Sequence, residues 1–191
     1  MDEKELLAEI NKETKNAALK EFLSYVVWLL GVWITVQLII HFVGTFSVVD
    51  GDSMQPTLHD KEYLWVDKLS YHFSEPERFD IVIFPIMYRG RESHFVKRII
   101  GLPGETVYID ESGVIYINGE VLDEDYGKEA IAEYNRYRAK EPLTLGEDEY
   151  FVMGDNRNHS SDSRSWGFVE KKHIIGKAQF IYWPFDRWGT L

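Results

Sequence analysis

The chain has 191 residues, with 32 acidic and 21 basic side chains, so its formal net charge is −11. This acidity argues against nucleic-acid binding, which needs a basic surface. An apolar fraction of 45% excludes intrinsic disorder. Because there is no cysteine, disulfide bonds, a thiol nucleophile and cysteine-bound zinc are excluded as well.

An apolar run near the N-terminus is concealed by the mean hydropathy of −0.29. Residues 1–21 carry four basic and six acidic side chains, whereas residues 22–49 contain no Asp, Glu, Lys or Arg. A bilayer-spanning helix needs about 20 such residues. We therefore predict a charged tail over residues 1–21 and a transmembrane anchor over residues 22–43. The run is too long for a signal-peptide core and lacks the small residues of a cleavage site, so the anchor is expected to be retained.

The lysines around this anchor predict its orientation. Four lysines precede it, and only Lys61 and Lys68 lie within about 20 residues after it. This asymmetry favours a cytoplasmic N-terminus and places the rest of the chain on the opposite side of the membrane.

The remainder of the chain is expected to be mainly β. Short apolar runs separated by Gly, Pro, Asn and Asp predict antiparallel strands. A hairpin turn is predicted at residues 110–113 and another at Asn118-Gly119. Residues 128–140 are the single candidate helix outside the anchor. We expect a β core formed by residues 44–101 and 150–191, with a small hairpin-rich subdomain inserted at residues 102–149.

Three stretches concentrate groups that can do chemistry, and the first is GDSMQPTL at residues 51–58. Ser53 lies on a bend between an acidic and a proline-containing turn. There its hydroxyl can project from the end of a strand, and neighbouring backbone N–H groups can form an oxyanion hole. Taken alone, a serine in such a turn is usually an ordinary turn or cap residue.

The second stretch is SHFVKRIIG at residues 93–101. On a strand, Lys97 and Arg98 point to opposite faces, and both faces are apolar. At least one of the two cations is therefore expected to be buried. Burial lowers the pKa of a lysine, as a lysine acting as general base requires. The alternative is a sheet-edge lysine with its ammonium group in water.

The third stretch, residues 154–167, has almost no apolar side chains. Its carboxylates, guanidinium groups and hydroxyls can satisfy one another, which suits a loop that supports a polar site. A solvated surface loop is the alternative.

Together with RFDIV at residues 78–82 and VKRIIGLPGE at residues 96–105, these stretches follow one apolar run in a fixed order. In the sequences of these segments and in their order, the chain resembles the type I signal peptidases, in particular their Gram-positive, single-span branch. The resemblance implies a membrane-bound serine endopeptidase with a Ser/Lys dyad on the outer face of the plasma membrane. Its substrates would be preproteins carrying N-terminal signal peptides, cut after small residues at the first and third positions before the bond. We expect a monomer without metal or cofactor, whose partners are these preproteins and the lipid bilayer.

The resemblance also assigns roles to individual residues. Ser53 matches the nucleophile, Lys97 the general base and Ser160 a hydroxyl that orients the lysine. Two acid–base pairs match supporting salt bridges, namely Asp162 with Arg164 and Asp155 with Arg157. Four apolar residues match the shallow pockets for small side chains, namely Val49, Met54, Leu58 and Val96.

Gly51 departs from the family pattern. Some members have a serine there, two residues before the nucleophile, whose hydroxyl completes the oxyanion hole. In this chain the hole must depend on the backbone N–H of Ser53 and on a second donor that the sequence does not identify.

The position of Ser53 along the chain agrees with this assignment. About ten residues separate it from the anchor, which keeps it within about 35 Å of the membrane even if that segment is fully extended. A membrane-inserted substrate would present its cleavage site there. Strand-like residues on both sides of the site, 46–49 and 94–96, could bind an extended substrate by β-addition.

Other readings are less well supported by the residues. A Ser-His-Asp triad could recruit His59, His94 or His159, but no spacing favours one of them. A metal site lacks an HExxH or similar motif. A tethered β domain that only binds a partner would leave Ser53 and Lys97 dispensable. A self-cleaving repressor of the Ser/Lys type would need a DNA-binding domain before the β region.

Overall fold

The computed structural model describes residues 3–88, 90–127 and 129–191. Its chain divides into two compact units, Met1–Phe42 and Val43–Leu191. The first unit is helical and the second is mainly β. The expected fold class, an N-terminal apolar helix followed by an antiparallel β domain with a small second sheet, is confirmed.

The N-terminal unit is built on one long helix, α1, over Glu3–Leu38, and a π-helical turn over Ile39–Val43 follows it. The segment Thr14–Val43 is 30 residues long and apolar enough to cross a membrane. At 1.5 Å per residue it is longer than the roughly 30 Å hydrocarbon layer. The helix thus begins well before residue 22, because nothing in the charged tail breaks it.

Two sheets make up the second unit, and every strand pair in them is antiparallel. The larger sheet has the order β1-β2-β11-β3-β4-β9-β10, with β12 paired to β11, and the smaller has the order β7-β6-β5-β8. The strands are β1 Gly44–Val48, β2 Tyr63–Asp67, β3 Ile81–Tyr88, β4 Arg91–Gly101, β5 Thr106–Ile109, β6 Ile115–Ile117, β7 Glu120–Val121, β8 Leu143–Thr144, β9 Glu149–Met153, β10 Val169–Glu170, β11 Gly176–Trp183 and β12 Gly189–Thr190.

Both predicted hairpin turns are confirmed. Asp110 accepts hydrogen bonds from the backbone of Ser112 and Val114, and β5 pairs with β6 across this turn. Asn118 and Gly119 both have positive φ, which is the backbone of a two-residue hairpin between β6 and β7.

The prediction of a helix at residues 128–140 is wrong. Residue 128 itself lies outside the described part of the chain. The segment forms two short 3₁₀ turns, Glu133–Asn135 and Tyr137–Lys140. Ile131 and Ala139 of this segment are nevertheless buried in the core of the small sheet. The other helix, α2, covers Ser163–Trp166 inside the stretch predicted to be a loop.

The core has three clusters, and one of them lies beneath the predicted nucleophile. It consists of Val49, Met54, Leu58, Leu64, Ile81, Ala178 and Ile181. The other two clusters lie under the small sheet and around β3, β4 and β9. All strands of the small sheet fall between Thr106 and Thr144, within the predicted subdomain. The exact subdomain limits, 102 and 149, stay a prediction.

Candidate active site

Ser53 lies in the loop between β1 and β2, which we call the nucleophile loop (residues 49–62). Met54 and Leu58 flank it and are buried in the cluster beneath the loop. The backbone N–H of Leu58 donates to the carbonyl of Met54 at 2.9 Å, which closes a turn directly after Ser53. The loop is therefore held from below by apolar side chains.

Lys97, on β4, contacts the Ser53 hydroxyl. Its Nζ donates to Ser53 Oγ at 2.7 Å and to the Val96 carbonyl at 2.8 Å. Within the part of the chain that the structure describes, no other side chain is hydrogen-bonded to Ser53 Oγ. Only 3% of Lys97 is exposed. The predicted burial of a cation on this strand is thus confirmed for Lys97, and the alternative of a solvated edge lysine is wrong.

Burial lowers the pKa of Lys97 to about 8, because removal from water disfavours the charged ammonium group. The negative charges of Asp162 and Asp155 act in the opposite direction, and the positive charge of Arg164 adds to the lowering. A substantial fraction of the lysine is therefore neutral at mildly alkaline pH, and its amine can then accept a proton from Ser53.

The second loop of the site is the 154–167 loop, which the sequence predicted to be polar and internally satisfied. Asp162 accepts two hydrogen bonds from the guanidinium of Arg164, at 2.8 and 2.7 Å, and both residues are buried. Asp162 also accepts from the backbone N–H of Gly154 at 3.1 Å and from that of Arg164, which caps α2. The structure therefore brings Asp162 and Arg164 together as predicted.

The predicted pairing of Asp155 with Arg157 is wrong. Asp155 accepts a bidentate pair of hydrogen bonds from Arg98, at 2.9 and 2.7 Å, and another from Thr57 Oγ1 at 2.5 Å. Arg157 instead pairs with Glu124, whose carboxylate accepts from its NH2 group at 2.6 Å. Asp155 and Arg157 lie on the same loop, but their side chains point in different directions. Asp155 therefore pairs with a residue on β4, and Arg157 pairs with a residue of the small-sheet region.

Asn156 was missed by the sequence analysis. It is buried and holds the backbone on both sides of the nucleophile: its Nδ2 donates to the Asp52 carbonyl at 3.0 Å, and its backbone N–H donates to the Ser53 carbonyl at 3.1 Å. An asparagine in a polar loop has too many ordinary roles for sequence spacing to single it out.

Ser160 lies close to the nucleophile, against Gly154. A Cβ atom at Gly154 would come within 2.3 Å of both Ser160 Oγ and the Ser53 carbonyl oxygen, so only glycine permits this packing. Ser160 Oγ is buried and has no hydrogen-bond partner among the described residues. The hydroxyl predicted to orient Lys97 is thus next to the dyad but is not bonded to the lysine.

A cleft of about 340 Å³ opens over Ser53 and Lys97. Val49, Met54 and Val96 line it together with Ser53 and Lys97, as predicted for the pocket residues. Leu58 is fully buried and does not line the cleft, because it belongs to the core beneath it. His94 and His159 also line the cleft, but neither ring is hydrogen-bonded to Ser53 within the described residues.

Two strand edges border this cleft. β1 is the terminal strand of the large sheet. β4 pairs with β9 from Arg98 onward, and its residues 93–97, which precede that pairing, line the cleft. Both edges present backbone groups that can pair with an extended peptide.

The backbone N–H of Ser53 is a candidate donor to an oxyanion. The N–H of Ser53 makes no hydrogen bond within the described chain, whereas the N–H of Gly51 donates to Asp60 Oδ1 at 2.8 Å. Gly51 has φ of +96°, and nothing lies within 4 Å of where its Cβ would be. No cluster of three or more His, Asp or Glu side chains suited to a metal ion was found among the described residues.

Comparison with known proteins identifies the family to which this chain is similar. The family model "Signal peptidase, peptidase S26" matches residues 21–183. Signal peptidase I S of Bacillus subtilis is 41% identical over 161 residues, which cover 78% of this chain and 82% of that protein. Signal peptidase I T of the same organism is 37% identical over 187 residues, which cover 93% of this chain and 95% of that protein.

A solved structure of a signal peptidase I from Enterococcus faecalis V583 is 39% identical in sequence. The match covers 55% of this chain and 97% of the Enterococcus faecalis chain, with a TM-score of 0.43. The chain belongs to the signal peptidase family, peptidase S26, and is a serine endopeptidase, anchored by its N-terminal helix, that cleaves signal peptides from secreted preproteins.

Proposed function

We propose that cleavage proceeds through a Ser53/Lys97 dyad. The observation that carries this proposal is the 2.7 Å contact between Lys97 Nζ and Ser53 Oγ, made by a lysine that is buried without a bonded carboxylate. A buried lysine of lowered pKa is suited to act as general base, and a serine hydroxyl within hydrogen-bond reach of it is the matching nucleophile.

The reaction follows from these contacts. Neutral Lys97 takes the Ser53 proton while Oγ attacks the carbonyl carbon of the scissile bond. The N–H of Ser53 stabilises the resulting oxyanion. Protonated Lys97 then gives its proton to the leaving amine, which is the new N-terminus of the mature protein. Water, deprotonated by Lys97, attacks the acyl-enzyme and releases the signal peptide with Ser53 restored.

The preference for small residues before the bond fits the cleft. The extended substrate would lie between β1 and residues 93–97 of β4, and its side chains at the first and third positions before the cut would face Val49, Met54 and Val96. These pocket residues lie on a packed core, so the pockets are shallow and exclude large side chains. The polar residues of the 154–167 loop would hold that loop in place beside the lysine, namely Ser160, Asp162, Arg164, Asp155 and Arg157.

Substitution tests this dyad directly. Ser53→Ala and Lys97→Ala should each abolish cleavage of a precursor with small residues at the cut, whereas His94→Ala and His159→Ala should retain most activity. The products are identified by N-terminal sequencing. If a folded histidine variant loses as much activity as Lys97→Ala, the dyad assignment fails in favour of a histidine base.

We also propose that the N-terminus is cytoplasmic and that the β unit acts outside the plasma membrane as a monomer. Ser53 and Lys97 come from one chain, so the site is complete without a second copy. Since the chain has no cysteine, a single introduced cysteine reports topology. In intact cells a membrane-impermeant maleimide should label Glu111→Cys and should label Lys15→Cys only after lysis. The reverse pattern would contradict the proposed orientation.

Contact with lipid is the remaining part of the proposal. One face of β11 is buried through Ala178 and Ile181. At the end of that strand and after it, Trp183, Phe185 and Trp188 are exposed, and large aromatic side chains of this kind favour the membrane–water interface. The buried face of β11 and the residues proposed to contact lipid are thus different residues of the same C-terminal region.

A further inference from the structure

Glu62 is a buried carboxylate that the proposed chemistry does not use. It ends the nucleophile loop, and only 3% of it is exposed. Its Oε2 accepts from the His59 backbone N–H at 2.9 Å, and its carbonyl accepts from the Val49 N–H at 2.8 Å. A carboxylate buried in this way needs a cation, since an unpaired buried charge is strongly destabilising.

Arg187 supplies that cation from the other end of the chain. It lies in the short turn Phe185–Arg187 after β11. Its Nε donates to Glu62 Oε1 at 2.8 Å, and its NH2 group donates to the Thr57 carbonyl at 3.0 Å. One planar guanidinium therefore holds the end and the middle of the nucleophile loop at the same time.

Thr57 is held from a second side. Its hydroxyl donates to Asp155 Oδ2 at 2.5 Å and accepts from the Arg98 NH2 group at 3.2 Å. The carbonyl and the hydroxyl of one residue are thus fixed by groups from different parts of the chain. Thr57 lies within the turn that the Leu58 N–H closes on the Met54 carbonyl, so fixing Thr57 fixes the turn that directly follows Ser53.

We propose that Arg187 is a positioning residue for the nucleophile: by holding Glu62 and the Thr57 carbonyl, it keeps Ser53 Oγ at the distance from Lys97 that the reaction needs. This inference depends on the proposed role of Ser53. Arg187 contacts no reacting atom, and it acts through the backbone of the nucleophile loop.

Loss of this contact should affect turnover more than substrate binding. Arg187→Gln should lower kcat about tenfold or more, because misplacing a reacting atom by about 1 Å can cost a hundredfold in rate. KM should stay within about twofold, since the pocket residues Val49, Met54 and Val96 are not bonded to Arg187. The acid limb of the rate profile should also stay in place, because Asp162, Asp155 and Arg164, the charged groups that influence Lys97, are all retained.

The experiment uses the full chain in detergent with an internally quenched synthetic peptide that carries an apolar segment followed by Ala-Gln-Ala. Steady-state kinetics are measured for Arg187→Gln, Glu62→Gln and the double variant, with thermal unfolding as the check of folding. Lys172→Gln is the matched control, since Lys172 forms an exposed ion pair with Glu170 away from the cleft. Ser53→Ala provides the inactive reference.

If Arg187 positions Ser53 through Glu62, kcat should fall in both single variants and should fall little further in the double variant, because the two residues act as one unit. If Arg187→Gln does not fold, Arg187→Lys, which keeps the charge beside Glu62 without the two-pronged contact, should still show the loss of kcat. A folded variant with kcat within twofold of wild type overturns the inference. If Ser53→Ala remains active, the proposed function fails instead, so the two failures are distinguishable.

Discussion

Lys97 and Arg98 are neighbours on β4 and both are buried, but they lie on opposite faces of the strand and differ in whether a carboxylate is bonded to them. On one face Arg98 forms a bidentate ion pair with Asp155. On the other, the hydrogen bonds of Lys97 Nζ among the described residues go to a hydroxyl and a carbonyl and not to a carboxylate, and burial lowers its pKa to about 8. Arg98 is ion-paired and holds the 154–167 loop through Asp155. Lys97 can lose its proton and act as a base.

The same contrast explains why the acidic residues of the 154–167 loop lie where they do. Asp155 is occupied by Arg98 and Thr57, and Asp162 by Arg164 and the Gly154 N–H. Either carboxylate bonded to Lys97 would raise its pKa and keep it protonated. The arginines therefore support catalysis by binding the carboxylates that would otherwise pair with the lysine.

The largest stability effect is expected on the paired face. Arg98→Met should lower the free energy of unfolding by about 3–5 kcal/mol, because it leaves Asp155 buried without its cation. Urea unfolding of the full chain in detergent measures this change. Arg98→Lys should lose less, since it keeps the charge but not the bidentate geometry. A change below about 1 kcal/mol for Arg98→Met would mean that Asp155 finds another partner.

The opposite sign is expected on the unpaired face. Lys97→Met should abolish cleavage and yet raise the free energy of unfolding at pH 7 by up to about 3 kcal/mol, because wild type buries a charged lysine there. The folded pKa, about 8, lies below the ordinary value of 10.5. Wild type should therefore gain stability as pH rises above about 8, and its deficit relative to Lys97→Met should shrink.

Chemical unfolding at pH 7 and pH 9.5 tests this prediction. Ser53→Ala is the matched control, since it also removes activity but leaves Lys97 in place. If Lys97→Met is less stable than wild type at both pH values, Lys97 is a structural residue rather than a strained functional one.

The smallest stability effect is expected at Ser160. Its hydroxyl is buried without a hydrogen-bond partner among the described residues, so Ser160→Ala should change the free energy of unfolding by less than about 1 kcal/mol. If Ser160 orients Lys97 during the reaction, kcat should nevertheless fall about tenfold or more. Comparing kcat with Ser160→Thr, which restores a hydroxyl, checks that the loss is due to the missing group. Wild-type kcat in Ser160→Ala would remove Ser160 from the site.

Much of this molecule could be predicted from local sequence signals. Short apolar runs between turn residues predicted the strands, and Asn118-Gly119 predicted its hairpin, because these features depend on neighbouring residues. Because both faces of β4 are apolar, at least one of Lys97 and Arg98 was predicted to be buried, and the structure buries both. The functional assignments of Ser53 and Ser160 came from the family resemblance, since a serine in a turn has no distinctive local signal.

Apart from the pair of Asp162 with Arg164, the partners of the buried ions could not be predicted. The family resemblance suggested that Asp155 pairs with Arg157, a pair that the structure does not contain. Their actual partners, Arg98 and Glu124, lie 57 and 33 residues away. Arg187 lies 125 residues from Glu62. Such pairings are decided by which strands lie side by side, and a single sequence carries no local signal for that.

The pH dependence of kcat/KM for the quenched peptide tests the central claim most directly. With Lys97 as base, activity should rise tenfold per pH unit on the acid side and level off above an apparent pKa of about 8, since only the neutral amine accepts the Ser53 proton. A limb near 6.5, the ordinary range of histidine, or a rate independent of pH between 6 and 9 would contradict the Ser53/Lys97 dyad.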